Sequence, residues 1–503
     1  MYTPDGLYMG LSEEGQRVYM KLNMCNRHGI ITGASGTGKT ITMKVMAESF
    51  ADAGVPVFLC DIKGDVSGLC MPGTQNEGME KRIDKFGIRD IFKYTSYQVT
   101  HWDIYGEKGH PIRATLSDMG PDLLARILQL SQAQEGVLQI LFKYADDKGL
   151  ELYDLKDLTA LIEYVSDHRE ELSGPYGNIA AASLGTIQRA LIPLANQGGD
   201  VFFGEPMMDI YDFMRTTQDG KGMINLLNCV KLVNNPTLYA TFLLWLMAEL
   251  FERLPEAGDL DKPKLVFFFD EAHMLFTDAP KILVQKVEQL VKLIRSKAVG
   301  IYFVTQSPSD IPDPVLAQLS NRVQHALRAY TPAEQKNIRA AAQSLRANPA
   351  FDTAEVITQL GVGHALLSFL DEEGVPGVTQ NCSVLCPQSL MAQADQSVID
   401  AAIAADGMHK YDQAIDRDSA YEKIERERAA APQEETQSPQ ESKEEERKRK
   451  EEEKRAAKEE REREKREAKE ERARQRRRDR IERQLLSTGA QILKRGLFNT
   501  LLK

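Results

Sequence analysis

The chain has 503 residues, 42% of them hydrophobic, and a formal net charge of −11. That length allows roughly two to four domain-sized units with a sizeable core. The acidic balance excludes a uniformly basic nucleic-acid binder, though not a basic channel formed in an assembly, because local fields outweigh the total.

The opening "MYTPDGLYMG" has neither a charged start nor an apolar run, so no secretory leader is expected. Next comes "GIITGASGTGKTITMK". "HGIIT" reads as a buried strand, and "TITMKVMAESFADAG" has helical spacing that closes at Gly54. Between them Gly33, Gly38, Lys39 and Thr40 satisfy the phosphate-loop pattern in its confirming strand–helix context. Backbone N–H groups from Gly33, Ala34, Ser35, Gly36, Thr37, Gly38, Lys39, Thr40 and Ile41 would surround phosphate oxygens at a helix N-terminus. Lys39 would reach the β and γ phosphates of ATP, and the Thr40 hydroxyl would ligate Mg²⁺.

A second strand is predicted in "VPVFLCDIKGD", closing the first core segment at residues 1–65. Residues 66–262 read as a mostly helical inserted region. Its most apolar helix, "LYATFLLWLMAELFERL", carries Glu249 and Glu252 and is too short to span a bilayer, so no transmembrane segment is expected. The core resumes over 263–400. "KLVFFFDEAHML" and "AVGIYFVTQSPSDIP" are apolar strands with polar ends, "NRVQHALRAY" is a further strand, and "HALLSFLDEEGVPGVTQ" is a strand pair. Alternating buried strands and helices indicate an α/β fold with a mainly parallel sheet.

Asp270 at the end of "VFFFD" suits the Mg²⁺ shell of a Walker B strand. Glu271 beside it would orient and deprotonate an attacking water, which favours a hydrolase. The letters "DEAH" do not indicate a superfamily-two helicase, because the later arginine motif of those enzymes is missing. Gln306, ending the neighbouring strand, would sense the γ-phosphate or its attacking water. Six scattered cysteines suit a reducing cytoplasm. Cys382 and Cys386 have no second cluster to complete a zinc site and read as ordinary buried residues.

After a linker and helix at 401–440, residues 441–484 form a Glu/Lys/Arg tail, helical or disordered, without a coiled-coil seam. Residues 485–503 form an amphipathic segment suited to docking on the core, on a neighbouring subunit or on a membrane, with docking on protein favoured.

Taken together, "RHGIITGASGTGKT", "FLCDIKGD", "VFFFDEAHML" and "LIRSKAVGIYFVTQSPSDIP" resemble the HerA–FtsK family of ATP-driven DNA translocases. More narrowly, through nearly its whole length, the chain resembles the HerA-like bacterial proteins once catalogued as domain of unknown function 853. The resemblance implies a RecA-like P-loop core, a homo-oligomeric ring (usually a hexamer) and double-stranded DNA as partner. It also implies an arginine that completes the neighbouring subunit's site, for which Arg295 matches best and Arg322 and Arg328 less well. Asp61, Lys63 and Asp65 would shape the site or the subunit contact. The sequence departs from HerA proteins in having about 30 residues before the loop, too few for their N-terminal β-barrel. The alternative expectation is a nucleotide-gated interaction protein, with slow turnover and a protein partner held by the inserted region or the tail.

Overall fold

Short apolar runs bounded by turn-forming residues become strands, and twelve of them join one sheet among the described residues. The computed structural model describes residues 1–258, 260–276 and 281–430, so the charged tail and the amphipathic segment lie outside the described residues. In chain order the strands are β1 (Tyr2–Thr3), β2 (Gly6–Ser12), β3 (Arg17–Met20), β4 (Gly29–Thr32), β5 (Val57–Asp61) and β6 (Val99–Trp102). There follow β7 (Ile224–Asn228), β8 (Leu265–Phe269), β9 (Val299–Thr305), β10 (Asn321–Gln324), β11 (His364–Ser368) and β12 (Gln380–Val384).

The sheet has two parts. A parallel part runs in the order β10-β4-β9-β8-β5-β7-β6, and an antiparallel wing continues from β10 through β11, β12 and β2. The first strands β1 and β3 both pair with β2, so the lead-in to the loop is part of this wing. β6 and β7 come from within 66–262, and the helices from Leu116–Ile127 to Ala181–Leu194 lie between them in the chain, with Glu77–Phe86 before β6 and Pro236–Arg253 after β7.

Strand residues alternate between two cores, as the two-residue period of a strand requires. Ile30, Phe58, Phe267, Phe269, Ile301 and Phe303 join one hydrophobic cluster with the helical region. Ile31, Val57, Leu59, Val266, Phe268 and Val304 join another with the helix Lys39–Asp52. Apolar burial on both faces is what a parallel sheet covered by helices demands. The helices of the 116–194 stretch therefore share a continuous core with the sheet. The expected apolar helix, Pro236–Arg253, is mostly buried, and no helix among the described residues is long and apolar enough to cross a membrane. All six cysteines are free, with Cys382 and Cys386 buried as expected.

Candidate functional site

β4, β8 and β9 run parallel, so their C-terminal ends lie at one edge of the sheet. The phosphate-loop residues follow β4 directly and lead into the helix Lys39–Asp52. Gly36 and Gly38 adopt φ of 75° and 116°, a region that favours glycine. At Gly33 a Cβ would lie 2.5 Å from that of His325, so only glycine fits. The loop is pinned from below: Gly33 N–H donates to the Gln306 carbonyl at 3.2 Å, and Ala34 N–H donates to that of Ala326 at 2.8 Å. Thr37 donates its hydroxyl to the Ala34 carbonyl at 2.7 Å. Ser35 and Gly36 are exposed, while Thr40 and Ile41 are half-buried at the start of the helix.

Lys39 is buried and folds back to donate to the carbonyls of Gly33 (2.7 Å) and Ala34 (3.2 Å). Burial lowers its pKa, and Glu271 and Asp270 pull the other way, which places those carboxylates within its field. Beneath the loop lies His325, fully buried, with its Nε2 accepting from the Thr42 hydroxyl at 2.8 Å and its Nδ1–H donating to the His364 carbonyl at 3.0 Å. Burial pushes it down to about 4, so it stays neutral and rigid. His325 was missed in the sequence, where the only signal is a polar residue closing the β10 run.

Asp270 follows β8 with 2% of its surface exposed. Its Oδ1 accepts from Glu271 N–H at 2.9 Å, but its Oδ2 is buried without a hydrogen-bond partner among the described residues. Burial pushes this carboxyl up to about 6. Glu271 is also buried and holds a φ of 45°, a strained region for a non-glycine residue. Its Oε1 pairs with Lys63 Nζ at 2.5 Å, and His273 Nδ1 lies 3.3 Å from Oε2 without a hydrogen bond. Burial raises the Glu271 pKa, but the Lys63 ammonium outweighs it and leaves the carboxyl below its ordinary value.

Lys63 sits in a turn built by Asp61, whose Oδ1 accepts from Gly64 N–H (2.7 Å) and whose Oδ2 accepts from Val66 N–H (3.1 Å). Asp65 Oδ1 is buried without a hydrogen-bond partner among the described residues. The Asp-x-Lys-Gly-Asp stretch thus brings Lys63 from the end of β5 to Glu271 at the end of the neighbouring β8.

Gln306 directly follows β9, which lies beside β8, and is exposed. Arg295 precedes β9, at the sheet edge opposite the loop, and so is not brought to its own chain's site. Arg322 donates to the carbonyls of Leu319, Ser344 and Leu316, a structural role. Arg328 donates to those of Thr358 and Leu360. A cleft of about 400 Å³, lined by Gly38, Ile41, Met79, Arg82 and Val362 among others, adjoins the loop. Sequence reasoning did not find it, because its walls come from remote stretches of the chain.

The chemistry of the donor set fits a phosphate and a divalent cation. Loop N–H groups and Lys39 supply positive potential, Thr40 supplies a hydroxyl, and Asp270 Oδ2 supplies an unused carboxylate oxygen.

The family described as Helicase HerA-like C-terminal matches residues 8–503. No curated protein matches the sequence significantly. Among solved structures, the plasmid coupling protein TrwB in complex with ADP and Mg²⁺ is similar at 12% identity, covering 79% of this chain and 99% of its own, with a TM-score of 0.52. TrwB with a non-hydrolysable ATP analogue gives 13% identity, coverage of 77% and 95%, and a TM-score of 0.52. An unbound form of this bacterial conjugative coupling protein gives 14%, 78% and 92%, with a TM-score of 0.51. The likeness shows a common RecA-like P-loop fold.

Proposed function

The chain belongs to the HerA-like C-terminal helicase family, and from that premise we propose that it is an Mg²⁺-dependent ATPase acting as a ring on double-stranded DNA. The observation that carries the catalytic part is the pair Asp270 and Glu271, buried at the end of β8 within the field of Lys39. TrwB binds ADP with Mg²⁺, and the residues of this chain fit the same pair.

Lys39 exchanges its two carbonyl partners for phosphate oxygens when ATP enters. The loop N–H groups hold those oxygens, and the adjoining cleft has room for the base. Mg²⁺, held by Thr40 and Asp270, would supply charge neutralisation at the phosphates. Glu271 takes the proton of the attacking water, and Lys63 holds its carboxylate ionised until then. Gln306 reports the state of the γ-phosphate through β9 to the loop that follows. Arg295 acts across a subunit boundary, which its place at the opposite sheet edge supports.

One observation favours the slower, nucleotide-gated reading: the Lys63 ion pair lowers the basicity of Glu271. The test is ATP hydrolysis by the purified full chain with and without double-stranded DNA, with Lys39→Ala as control. Stimulation that falls steeply with salt and vanishes in the control is expected. An equimolar mixture of Arg295→Ala and Lys39→Ala chains should recover activity that neither has alone. Hydrolysis indifferent to DNA would select the nucleotide-gated role.

A further inference from the structure

Far from the loop, the edge strand β6 is covered by the segment that follows the antiparallel wing. β6 lies five strands from β4, roughly 24 Å at ordinary strand spacing. His110 is fixed to this edge by its own backbone: its N–H donates to the His101 carbonyl at 2.8 Å, and its carbonyl accepts from Asp103 N–H at 3.0 Å. Its side chain is fully buried. The covering segment brings His409 and Asp412 above it on a single 3-10 turn, whose three-residue period sets these two side chains on one face.

The partners of the two imidazoles are unusual. His110 Nε2 lies 2.9 Å from Asp406 Oδ1, and its Nδ1 lies 2.5 Å from Asp412 Oδ1. His409 Nε2 lies 3.1 Å from the Ala404 carbonyl, and its Nδ1 lies 2.7 Å from Asp412 Oδ2. All four ring nitrogens therefore face acceptors. A neutral imidazole has one N–H, so these four contacts need further protons, on the rings or on the Asp406 and Asp412 carboxyls, or a cation in the place of both Nδ1 protons. One dication supplies the same two positive charges. The outer partners are those that metal-bound histidines use: Asp406 and the Ala404 carbonyl hold each Nε2–H and turn each Nδ1 toward a common point. One atom from each of His110, His409 and Asp412 lies within 4.8 Å of the others.

Behind His110, on its Nε2 side, Asp406 Oδ2 and His101 Nε2 are buried without hydrogen-bond partners among the described residues, and His101 feels the charge of Asp406. The side chains of His409 and Asp412 are 54% and 42% exposed, so an ion can enter from solvent.

We propose that His110, His409 and Asp412 form a binding site for a zinc-class dication, oriented by Asp406 and the Ala404 carbonyl. Two imidazoles and one carboxylate suit Zn²⁺ and do not suit Mg²⁺, which prefers an all-oxygen shell. A fourth, solvent-facing position is left for water. The ion staples residues 404–412 to the His110 segment that pairs with the edge strand β6.

The full chain, stripped with chelator and free of nucleotide, is titrated with Zn²⁺ by calorimetry and with Co²⁺ by visible absorption. One Zn²⁺ per chain is expected, with a dissociation constant on the order of 10 μM or tighter and the absorption of four-coordinate Co²⁺. His409→Ala and Asp412→Ala, both at exposed side chains, should each weaken binding about 10-fold or more. Lys39→Ala should leave it unchanged. Absence of binding in this range, or equal binding by wild type and both variants with circular dichroism unchanged, would overturn the site.

Discussion

Two buried aspartates in this chain are handled in opposite ways. Asp157, in the helical region, is fully buried, and both of its oxygens are occupied. Oδ2 accepts from the N–H groups of Tyr153 (2.9 Å) and Asp154 (3.2 Å), and Oδ1 accepts from the Ser419 hydroxyl (2.5 Å) and Tyr421 N–H (3.0 Å). It caps the helix Leu155–Asp167 and ties the helix Ala420–Ala430 to it. Asp270, at the end of β8, is nearly as deeply buried but keeps one oxygen without a partner among the described residues. A satisfied carboxylate in low dielectric holds structure together, whereas a half-satisfied one keeps its capacity for a ligand at a cost to the empty fold. The same cost is visible beside it in the positive φ of Glu271.

The sharpest way to break this contrast is to exchange the consequences. Glu271→Gln keeps the shape of the site and removes the base. Nucleotide binding should persist while turnover falls about 100-fold or more, read by steady-state hydrolysis alongside a fluorescent-nucleotide titration. Near-normal turnover would remove Glu271 from the chemistry. The converse substitution, Asp157→Ala, strips four donors of their acceptor. It should lower the unfolding free energy by about 3 kcal/mol, measured by urea denaturation, with turnover per folded molecule unchanged. A loss of turnover with intact stability would mean that the helical region takes part in the site.

Much of the site was legible because its residues are adjacent in sequence and each motif sits at the end of an apolar run. Asp270 and Gln306 directly follow strands whose burial on both faces is written as continuous hydrophobicity, as in "VFFF" and "GIYFV", and Lys39 opens the helix after the loop that follows β4. The strands β6 and β7 were not read. β6 is four residues long with Thr100 and His101 in its middle, and its pairing with β7 is what makes it a strand. The opening strands β1 to β3 were read only as a lead-in, because β1 and β3 pair with β2 alone and β2 joins the sheet through β12, more than 360 residues away. Lys63 was expected to shape the site or the subunit contact without a named partner, since Glu271 is reached only when β5 and β8 lie side by side. His110 and His409 are separated in the same way, and nothing in their local sequence joins them.

The smallest expected effect tests the contrast on stability alone. Asp270 has a carboxyl pushed by burial from its ordinary 3.8 to about 6. Below 3.8 it is protonated in both the folded and unfolded chain and costs nothing. As pH rises through about 6, folding must place an ionised carboxylate in the buried site, so stability present at low pH is lost. Asn at this position has no such charge. The stability of Asp270→Asn relative to wild type should therefore rise by about 1 kcal/mol between roughly pH 5 and pH 7, read from paired urea titrations without Mg²⁺ or nucleotide. Asp61, also pushed up by burial to about 6, is present in both proteins and cancels in the difference. A flat difference would mean that Lys63 already compensates Asp270 as fully as four hydrogen bonds compensate Asp157. The unused oxygen would then mark no cost of function. A rising difference would identify the empty site as a place where the fold gives up stability that a bound cation restores.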